Sequence, residues 1–431
     1  MASLFGHARI SFYHAPKTVS LQTKSGAKTD LKELCKDIAP PCRLNPLLPN
    51  GHFQTAMTVI KNQDIPIYYK RKIFEAENSA YAGTFAVDFV VDPNDEVDQT
   101  LPSRTTYFES SASEEIGSLD SKPMLILLHG LSGGSHELYL RHVIAPLVTK
   151  EGGWEACVVN SRGCAMSKIT TGVLYNARST WDVRQTVKWL KKKFPNRPLF
   201  GIGFSLGANI LANYLGEEGS ECLLKAAVVC SNPWNLEVSA LALQQSWLGL
   251  SVYSKVMAGN MKRLFQQHVD QISKNPRIDV DRVMSVKYLH EFDRALQGPT
   301  WGYPTEGAYY RDSSSVDPLL AIRIPLLSIN AEDDPIAVKE AIPFEEFRQN
   351  PYTILCTTSL GGHLSWFELG GGRWFVKPTV NFLQKMARDV VDVAKEFEST
   401  TSLSNHPTPG NREFDPMRRK LYQLESIHLD N

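Results

Sequence analysis

The stretch PLFGIGFSLGAN, residues 198–209, places one serine between two glycines directly after a short apolar run. An apolar run that passes through Gly-x-Ser-x-Gly into small and apolar residues indicates a strand, a sharp turn and a helix. On such a turn Ser205 would project above the edge of a sheet, where the free N–H groups of the helix stabilise developing negative charge. The stretch therefore predicts a nucleophilic serine, with a plain strand-to-helix corner as the alternative.

Similar apolar runs recur on both sides of this stretch and predict parallel strands. Their continuous apolar character is typical of strands that helices cover on both faces. Amphipathic stretches between them predict those helices, so the chain is expected to adopt an α/β fold with right-handed crossovers. The predicted strands are 124–129, 156–161, 198–204, 225–231, 324–330 and 352–358. The predicted helices are 136–150, 177–194 and 208–218.

The remaining segments predict additions to this α/β core. Residues 65–74 and 84–92 have the composition of antiparallel strands at the edge of the sheet, and the polar, acidic stretch 92–123 predicts a surface loop. Helical and aromatic material interrupts the alternation at about 233–320 and predicts a cap over the carboxyl edge of the sheet. The expected organisation is an N-terminal extension over 1–39, an α/β domain over 40–397 that contains the cap, and a C-terminal tail over 398–431.

Composition narrows the class of protein. The 431 residues are 42% hydrophobic and 21% charged, which is typical of a globular chain, and no stretch approaches the roughly 20 apolar residues that span a bilayer. Lys plus Arg and Asp plus Glu both number 46, so nothing predicts a nucleic-acid partner. Seven cysteines without a CxxC pair favour a reducing compartment. The basic residues 1–29 resemble an organellar transit peptide, with an ordinary basic start as the alternative.

A nucleophilic serine needs a base, and the base needs an acid that orients it. His363 follows the last predicted strand, and two preceding glycines allow its loop to bend back over the sheet. Asp333 and Asp334 follow the preceding strand, in the chain order Ser, Asp, His. We predict Asp334 as the acid, with Asp333 as the alternative, because adjacent residues at a strand end point in different directions.

Two backbone N–H groups are needed to bind the oxyanion of an acyl-transfer reaction. Leu206 follows the predicted nucleophile, and Leu131 lies in the glycine-rich turn after the strand 124–129, so we predict these two as donors. No cluster of His, Cys and carboxylates predicts a metal site, and no GxxxxGK[ST] or GxGxxG motif predicts a bound nucleotide. We therefore predict no cofactor and no metal.

Six separate motifs together resemble one subfamily of α/β hydrolases, the AB hydrolase 4 type. This subfamily contains fungal medium-chain fatty acid ethyl ester synthase/esterases and animal monoacylglycerol and phospholipid hydrolases. The resemblance covers roughly residues 40–390, and it implies an α/β-hydrolase fold with Ser205, Asp334 or Asp333, and His363 as the charge-relay system. The motifs are NGHFQT (50–55), LLHGLSGGS (127–135), VVNSRGCAMS (158–167), GFSLGAN (203–209), NAEDDP (330–335) and GGHLSWFE (361–368).

The resemblance also implies an activity. A serine esterase would act on medium-chain acyl esters through an acyl-serine, and an alcohol such as ethanol could replace water as the acyl acceptor. The expected partners are an acyl ester or acyl-CoA with water or an alcohol, and a membrane or lipid-droplet surface. The expected location is intracellular: cytoplasmic, or associated with lipid droplets or mitochondria. A monoacylglycerol or phospholipid lipase, or a non-catalytic binding protein on the same fold, is the alternative.

Overall fold

The computed structural model describes residues 6–60, 64–109 and 116–393 and contains one large sheet of ten strands. The strands in chain order are β1 (His7–Ala8), β2 (Ile10–Tyr13), β3 (Ser20–Thr23), β4 (Lys28–Asp30), β5 (Cys42–Arg43), β6 (Tyr68–Glu75), β7 (Thr84–Val91), β8 (Thr105–Tyr107), β9 (Met124–Leu128), β10 (Glu155–Asn160), β11 (Leu199–Phe204), β12 (Leu224–Cys230), β13 (Leu326–Ala331), β14 (Thr353–Thr358) and β15 (Val390–Val393). Across the large sheet the order is β2-β14-β13-β12-β11-β9-β10-β7-β6-β8.

The centre of this sheet is parallel. The strands β10, β9, β11, β12, β13 and β14 all pair in parallel. They are the six strands predicted from the apolar runs, and their bounds agree with the prediction to within two residues. The prediction of a mostly parallel sheet is therefore confirmed. The two predicted edge strands are confirmed as well, because β7 pairs antiparallel with β10 and β6 pairs antiparallel with β7.

Both outer edges of the sheet differ from the sequence prediction. The stretch 92–123 is not a loop throughout, because Thr105–Tyr107 forms β8 and pairs in parallel with β6. At the other edge, β2 from the predicted N-terminal extension pairs antiparallel with β14. Each short strand uses the free backbone groups of a neighbouring strand, and nothing in its own sequence reports that pairing.

Helices cover both faces of the sheet. In β9, Leu125 and Leu127 belong to the apolar core on one face, and Ile126 and Leu128 belong to the core on the other, which explains the continuous apolar run. Leu31–Ile38, Leu138–Leu147 and Val376–Arg388 pack on the first face. Thr180–Lys193, Leu206–Glu218, Val316–Leu319 and Phe344–Gln349 pack on the second.

The chain between β12 and β13 is mostly helical, and several of its helices border a cavity that reaches Ser205. We call the part of this segment from Leu236 to Ser313 the cap. Its α-helices are Leu236–Gln245, Lys255–Gln267, Val269–Ile272, Val280–Ser285, Leu289–Trp301 and Glu306–Ser313, and Gly249–Ser254 forms a π-helical turn. The bounds proposed for the extension, the α/β domain and the cap stay predictions, and the predicted tail over 398–431 lies outside the described residues.

Two small sheets and one further helix complete the fold. The strands β1 and β5 pair with each other, and β15, β3 and β4 form a three-stranded sheet. The helix Gly51–Ile60 lies between β5 and β6 in the chain and contacts the loops that follow β13 and β14. In the described part of the chain, no helix has the combination of length and apolar character that crossing a bilayer requires.

Candidate active site

Ser205 occupies a strained turn between β11 and the helix Leu206–Glu218. Its φ of 52° and ψ of −120° lie in a region that costs a non-glycine residue on the order of 1–3 kcal/mol. The flanking glycines explain how the turn fits. A Cβ at Gly203 would lie 2.5 Å from the carbonyl oxygen of Gly207, and a Cβ at Gly207 would lie 2.4 Å from that of His129. The Gly-x-Ser-x-Gly pattern is therefore required by close backbone packing around the serine.

The imidazole of His363 lies between the serine and an aspartate. Its Nε2 is 2.8 Å from the Oγ of Ser205, and its Nδ1 is 2.8 Å from Oδ2 of Asp334. Because a carboxylate only accepts hydrogen bonds, Nδ1 carries a proton and donates a hydrogen bond to Asp334. Nε2 then accepts the hydrogen bond from the serine hydroxyl. The structure therefore brings together the three side chains that the sequence singled out.

Asp334 and Asp333 point in different directions. The buried Asp334 also accepts hydrogen bonds at Oδ1 from the backbone N–H groups of Ile336 and Ala337, at 2.8 and 2.9 Å. Asp333 instead accepts from the backbone N–H of Gly362 at 3.0 Å. Burial, together with the neighbouring Asp334, raises the pKa of Asp333 to about 6. Asp334 is thus the carboxylate that contacts the imidazole, and Asp333 holds the loop that carries His363.

Leu131 and Leu206 lie beside Ser205 at the wall of one cavity. Leu206 is the first residue of its helix, so its N–H has no intrahelical acceptor. Leu131 lies in the turn between β9 and the helix Leu138–Leu147, where the adjacent Ser132 adopts a positive φ of 54°. Both predicted oxyanion donors are therefore placed next to the serine, and their role stays a proposal.

The turn that carries Leu131 is held from below by buried polar groups. His129 bonds through Nδ1 to the carbonyl oxygen of Gly130 and accepts from the N–H of Ser161 through Nε2. Burial lowers the pKa of His129 to about 4, so the ring is neutral at physiological pH. Its two contacts with the backbone hold the turn in place. At the end of the turn, Ser135 donates to Asp88, which also forms a fully buried ion pair with Arg71.

Comparison with known proteins decides the family. A profile of the alpha/beta hydrolase fold matches residues 123–368. The chain belongs to the α/β-hydrolase fold family. The α/β hydrolase is 38% identical over 369 residues to a monoacylglycerol lipase of Saccharomyces cerevisiae, covering 80% of this chain and 81% of that one. It is 32% identical to medium-chain fatty acid ethyl ester synthase/esterase 2 of the same yeast, covering 81% and 86%.

A third relative lies among the animal proteins that the sequence motifs resemble. The α/β hydrolase is 33% identical over 265 residues to mouse phospholipase ABHD3, covering 61% of this chain and 62% of that one. The expected fold and the expected subfamily are both confirmed. Relatives of this α/β hydrolase thus carry the names of lipases and esterases.

The motif NGHFQT (50–55) supports the loop that carries His363 in the α/β hydrolase. Thr55 accepts at Oγ1 a hydrogen bond of 2.9 Å from the backbone N–H of His363. Gln54 accepts at Oε1 from the backbone N–H of Phe367 at 2.8 Å. A Cβ at Gly51 would lie 1.9 Å from the carbonyl oxygen of Asp333, so only glycine allows this close contact. The chain separation of 308 residues between Thr55 and His363 hides this contact from local sequence patterns.

The segment NSRG (160–163), within the motif VVNSRGCAMS, has a structural role in the α/β hydrolase. Arg162 forms a bidentate ion pair with Asp182 at 2.8 and 2.9 Å, and both side chains are buried. This pair ties the turn after β10 to the first turn of the helix Thr180–Lys193. In the ranges that the structure describes, no group of three or more His, Cys, Asp or Glu side chains is arranged to hold a metal ion.

Replacing Thr55 by valine is expected to lower kcat for an acyl ester by about 5- to 50-fold. Valine keeps the shape of the side chain but removes the acceptor for the N–H of His363, and a buried donor without a partner costs about 1–3 kcal/mol. Steady-state kinetics, with thermal unfolding to check the fold, would measure the effect. Thr149→Val is the matched control, because Thr149 also accepts at Oγ1 from a backbone N–H, that of Gly152, but does not contact the loop that carries His363. Equal rates for the two variants would contradict a role for Thr55 in positioning the imidazole.

Proposed function

We propose that this protein is a serine ester hydrolase that acts on medium-chain acyl esters through an acyl-serine intermediate. One observation carries the proposal: two successive hydrogen bonds of 2.8 Å join Ser205 to His363 and His363 to Asp334, and Ser205 lines an apolar cavity. Ser205 is the nucleophile, His363 the general base, and Asp334 the group that orients and stabilises the imidazole. The names of the relatives support the same class of reaction.

Acylation follows from this arrangement. The Oγ of Ser205 attacks the ester carbonyl carbon while its proton passes to Nε2 of His363, and the carboxylate of Asp334 stabilises the imidazolium. The backbone N–H groups of Leu131 and Leu206 donate to the oxyanion of the tetrahedral intermediate. His363 then gives its proton to the departing alcohol oxygen, and the acyl group remains on Ser205.

Deacylation repeats these steps with a second acceptor. His363 takes a proton from water, the resulting hydroxide attacks the acyl carbon, and Ser205 recovers its proton as the fatty acid leaves. Ethanol in place of water gives an ethyl ester by the same transfers. We therefore propose acyl transfer to an alcohol as a second activity, for which the ethyl ester synthase/esterase relative is the support.

The cavity supports the medium-chain proposal. Its wall is largely apolar, which suits an acyl chain. A lipase for monoacylglycerols or phospholipids is the second candidate, because relatives carry those names. The apolar residues that line the cavity include Leu206, Leu243, Met257, Met261, Leu289 and Ile336.

A series of p-nitrophenyl esters of graded chain length tests the substrate proposal. We expect kcat/KM to be highest for octanoyl and decanoyl esters and lower for acetyl and palmitoyl esters. Ethyl octanoate in water, and octanoyl-CoA with ethanol, then compare hydrolysis with acyl transfer in one preparation. The Ser205→Ala variant provides the background rate in each assay. A maximum at acetyl or at palmitoyl would contradict the medium-chain proposal, and no ethyl ester from octanoyl-CoA would contradict acyl transfer.

We also propose that the outer face of the cap binds an intracellular lipid surface such as a droplet. Large apolar side chains are exposed there, among them Trp247 at 74% exposure, and an exposed tryptophan is typical of an interface between water and lipid. Residues 238–269 contain no Asp or Glu but include three basic side chains, which suits an anionic surface. The inner side of the same helices borders the cavity, so a lipid substrate has a short path to Ser205. The other exposed apolar residues are Leu241, Leu248, Val252 and Val256.

Replacing Trp247 by serine is expected to lower binding to vesicles of phosphatidylcholine and phosphatidylserine by about tenfold, the effect of removing one large apolar side chain from the interface. Sedimentation of the protein with vesicles measures this partition. Leu119→Ser is the control, because Leu119 is 78% exposed but lies outside the cap. Equal loss of binding in both variants, or no binding by the unaltered protein, would contradict the proposal.

A further inference from the structure

One part of the cavity wall is polar, in contrast to the rest. Asp293, on the cap helix Leu289–Trp301, lines the cavity and is only 7% exposed. Its Oδ2 accepts a hydrogen bond of 2.7 Å from the hydroxyl of Tyr310, which is its sole hydrogen-bond partner in the described part of the chain. Among the described residues that line the cavity, none is Lys, Arg or His. A buried carboxyl group therefore faces the substrate cavity without a cation to pair with it.

Two further polar side chains of the cap line the same cavity. Gln297 is one helical turn after Asp293 and lies on the same face of its helix. Ser239 lies on the helix Leu236–Gln245, is only 5% exposed, and its buried Oγ has no hydrogen-bond partner in the described residues. The hydroxyl of Tyr310 joins the two walls, because its own helix packs against the helix of Ser239 while it bonds to Asp293.

A buried polar group without a partner is costly, so the partnerless hydroxyl of Ser239, at the same cavity wall as the carboxyl of Asp293, indicates what the cavity receives. Burial raises the pKa of Asp293 to about 7, which is the effect expected of a carboxyl group that no cation stabilises. A ligand that both donates and accepts hydrogen bonds satisfies a carboxyl oxygen, a serine hydroxyl and a glutamine amide together. Among the groups of an ester substrate, an uncharged hydroxyl group does so.

We propose that Asp293, Ser239 and Gln297 form a subsite that binds a free hydroxyl group of the ester substrate and selects hydroxylated esters over simple alkyl esters. The inference rests on the proposed esterase function and specifies its substrate class. The hydroxyl belongs either to the alcohol part, as in a glyceryl ester, or to the acyl chain, as in a hydroxyacyl ester. In both cases one substrate oxygen donates to the carboxylate of Asp293 and accepts from a neighbouring side chain.

A quaternary ammonium group fits these residues less well. It would pair with the negative charge of Asp293, but it has no N–H to donate and leaves the hydroxyl of Ser239 without a partner. Moving a permanent cation into a mainly apolar cavity also costs more than moving a neutral hydroxyl group. The polar set therefore favours a hydroxyl over a cationic headgroup.

Matched ester pairs test the subsite in the unaltered protein. We expect kcat/KM for octanoylglycerol to exceed that for its dimethyl ether by at least about tenfold, since the dimethyl ether cannot donate a hydrogen bond to the carboxyl group of Asp293. Ethyl octanoate with and without a terminal hydroxyl on its acyl chain provides the second pair. A preference in the first pair alone places the hydroxyl on the alcohol side, and a preference in the second alone places it on the acyl side; either outcome supports the subsite.

Variants then assign the preference to the named residues. Asp293→Leu, of similar volume, is expected to reduce the hydroxyl preference to about twofold or less, and Ser239→Ala to reduce it about threefold. Asp281→Leu is the control, because Asp281 is an exposed carboxylate of the same cap that does not line the cavity. If Asp293→Leu does not fold, Ser239→Ala and the ester pairs still decide.

Two results would overturn the inference, and they are distinguishable from a failure of the proposed function. Equal hydrolysis of both members of both pairs by the unaltered protein rejects the subsite but leaves the esterase in place. A preference that persists in Ser239→Ala and Asp293→Leu rejects these residues as its source. Absence of hydrolysis of every ester, with no labelling by a fluorophosphonate, would instead reject the proposed function itself.

Discussion

Replacing Ser205 by alanine is expected to lower kcat for ethyl octanoate by about 10⁵- to 10⁶-fold, because no other group can form the acyl intermediate at this position. The loss of nucleophile should leave the fold intact, since alanine accepts the same packing as serine on the turn. A fluorophosphonate probe, which reacts covalently with activated serine hydroxyls, should label the unaltered protein and leave the variant unlabelled. Mass spectrometry of the labelled peptide would identify the modified residue.

The control for this experiment is Ser285→Ala. Ser285 is an exposed serine of the cap whose hydroxyl donates to the carbonyl oxygen of Arg282, so its removal should change neither labelling nor rate. Unchanged labelling in Ser205→Ala would remove Ser205 as the nucleophile and with it the proposed mechanism. Absence of labelling in the unaltered protein would favour a binding protein on a hydrolase fold.

Replacing Asp334 by asparagine is expected to lower kcat by about 10⁴-fold. An asparagine amide would donate to Nδ1 of His363, which places the imidazole proton on Nε2 and prevents Nε2 from accepting the proton of Ser205. The backbone N–H groups of Ile336 and Ala337 keep their acceptor, so the loop should keep its conformation. Steady-state hydrolysis and circular dichroism together separate this effect from a loss of fold.

Asp333→Asn is the matched control, and its kcat should stay within about threefold of the unaltered protein. Asparagine still provides an oxygen that accepts from Gly362, and Asp333 does not contact the imidazole. A 10⁴-fold loss in Asp333→Asn with little loss in Asp334→Asn would reverse the assignment of the acid.

The same control should show a stability difference that depends on pH. The pKa of Asp333 is about 6 in the folded protein, against about 3.9 for an unperturbed aspartate. Because the folded state holds this proton more tightly, the stability it contributes is fully present below pH 4 and declines as the pH rises to 6. Asp333→Asn removes that decline. Its free energy of unfolding at pH 7.5 should exceed that of the unaltered protein by about 2–3 kcal/mol, with no difference below pH 4.

Local sequence patterns predicted the parallel centre of the sheet and singled out Ser205, His363 and Asp334, whose side chains are in contact. The central strands are buried on both faces, so their apolar runs stand out, as in Met124–Leu128. Ser205 stands out because close packing demands glycine on both sides of it. His363 and the adjacent pair Asp333 and Asp334 follow from the fixed order of strands, since the loops after neighbouring parallel strands meet at one edge of the sheet.

What the sequence did not reveal depends on contacts between distant segments. The edge strands β2 and β8 are short and gain their structure from a neighbour's free backbone groups, so their own residues carry a weak signal. The buried ion pair of Arg71 with Asp88 lies in two strands whose charged residues read as solvent-facing until the sheet is assembled. The polar wall around Asp293 likewise arises only when the cap helices pack together.

The positions of Ser205 and His363 along the chain have a consequence for the synthesis of the protein. Ser205 and His363 are 158 residues apart in the chain, and Thr55, which accepts a hydrogen bond from the backbone N–H of His363, precedes His363 by 308 residues. During translation the turn that carries Ser205 can form as soon as β12 emerges, but the serine has no base until the loop after β14, with His363, has left the ribosome. On the proposed mechanism, nascent and prematurely terminated chains would therefore carry an inert serine, and ester cleavage would begin only when the loop after β14 has joined the domain.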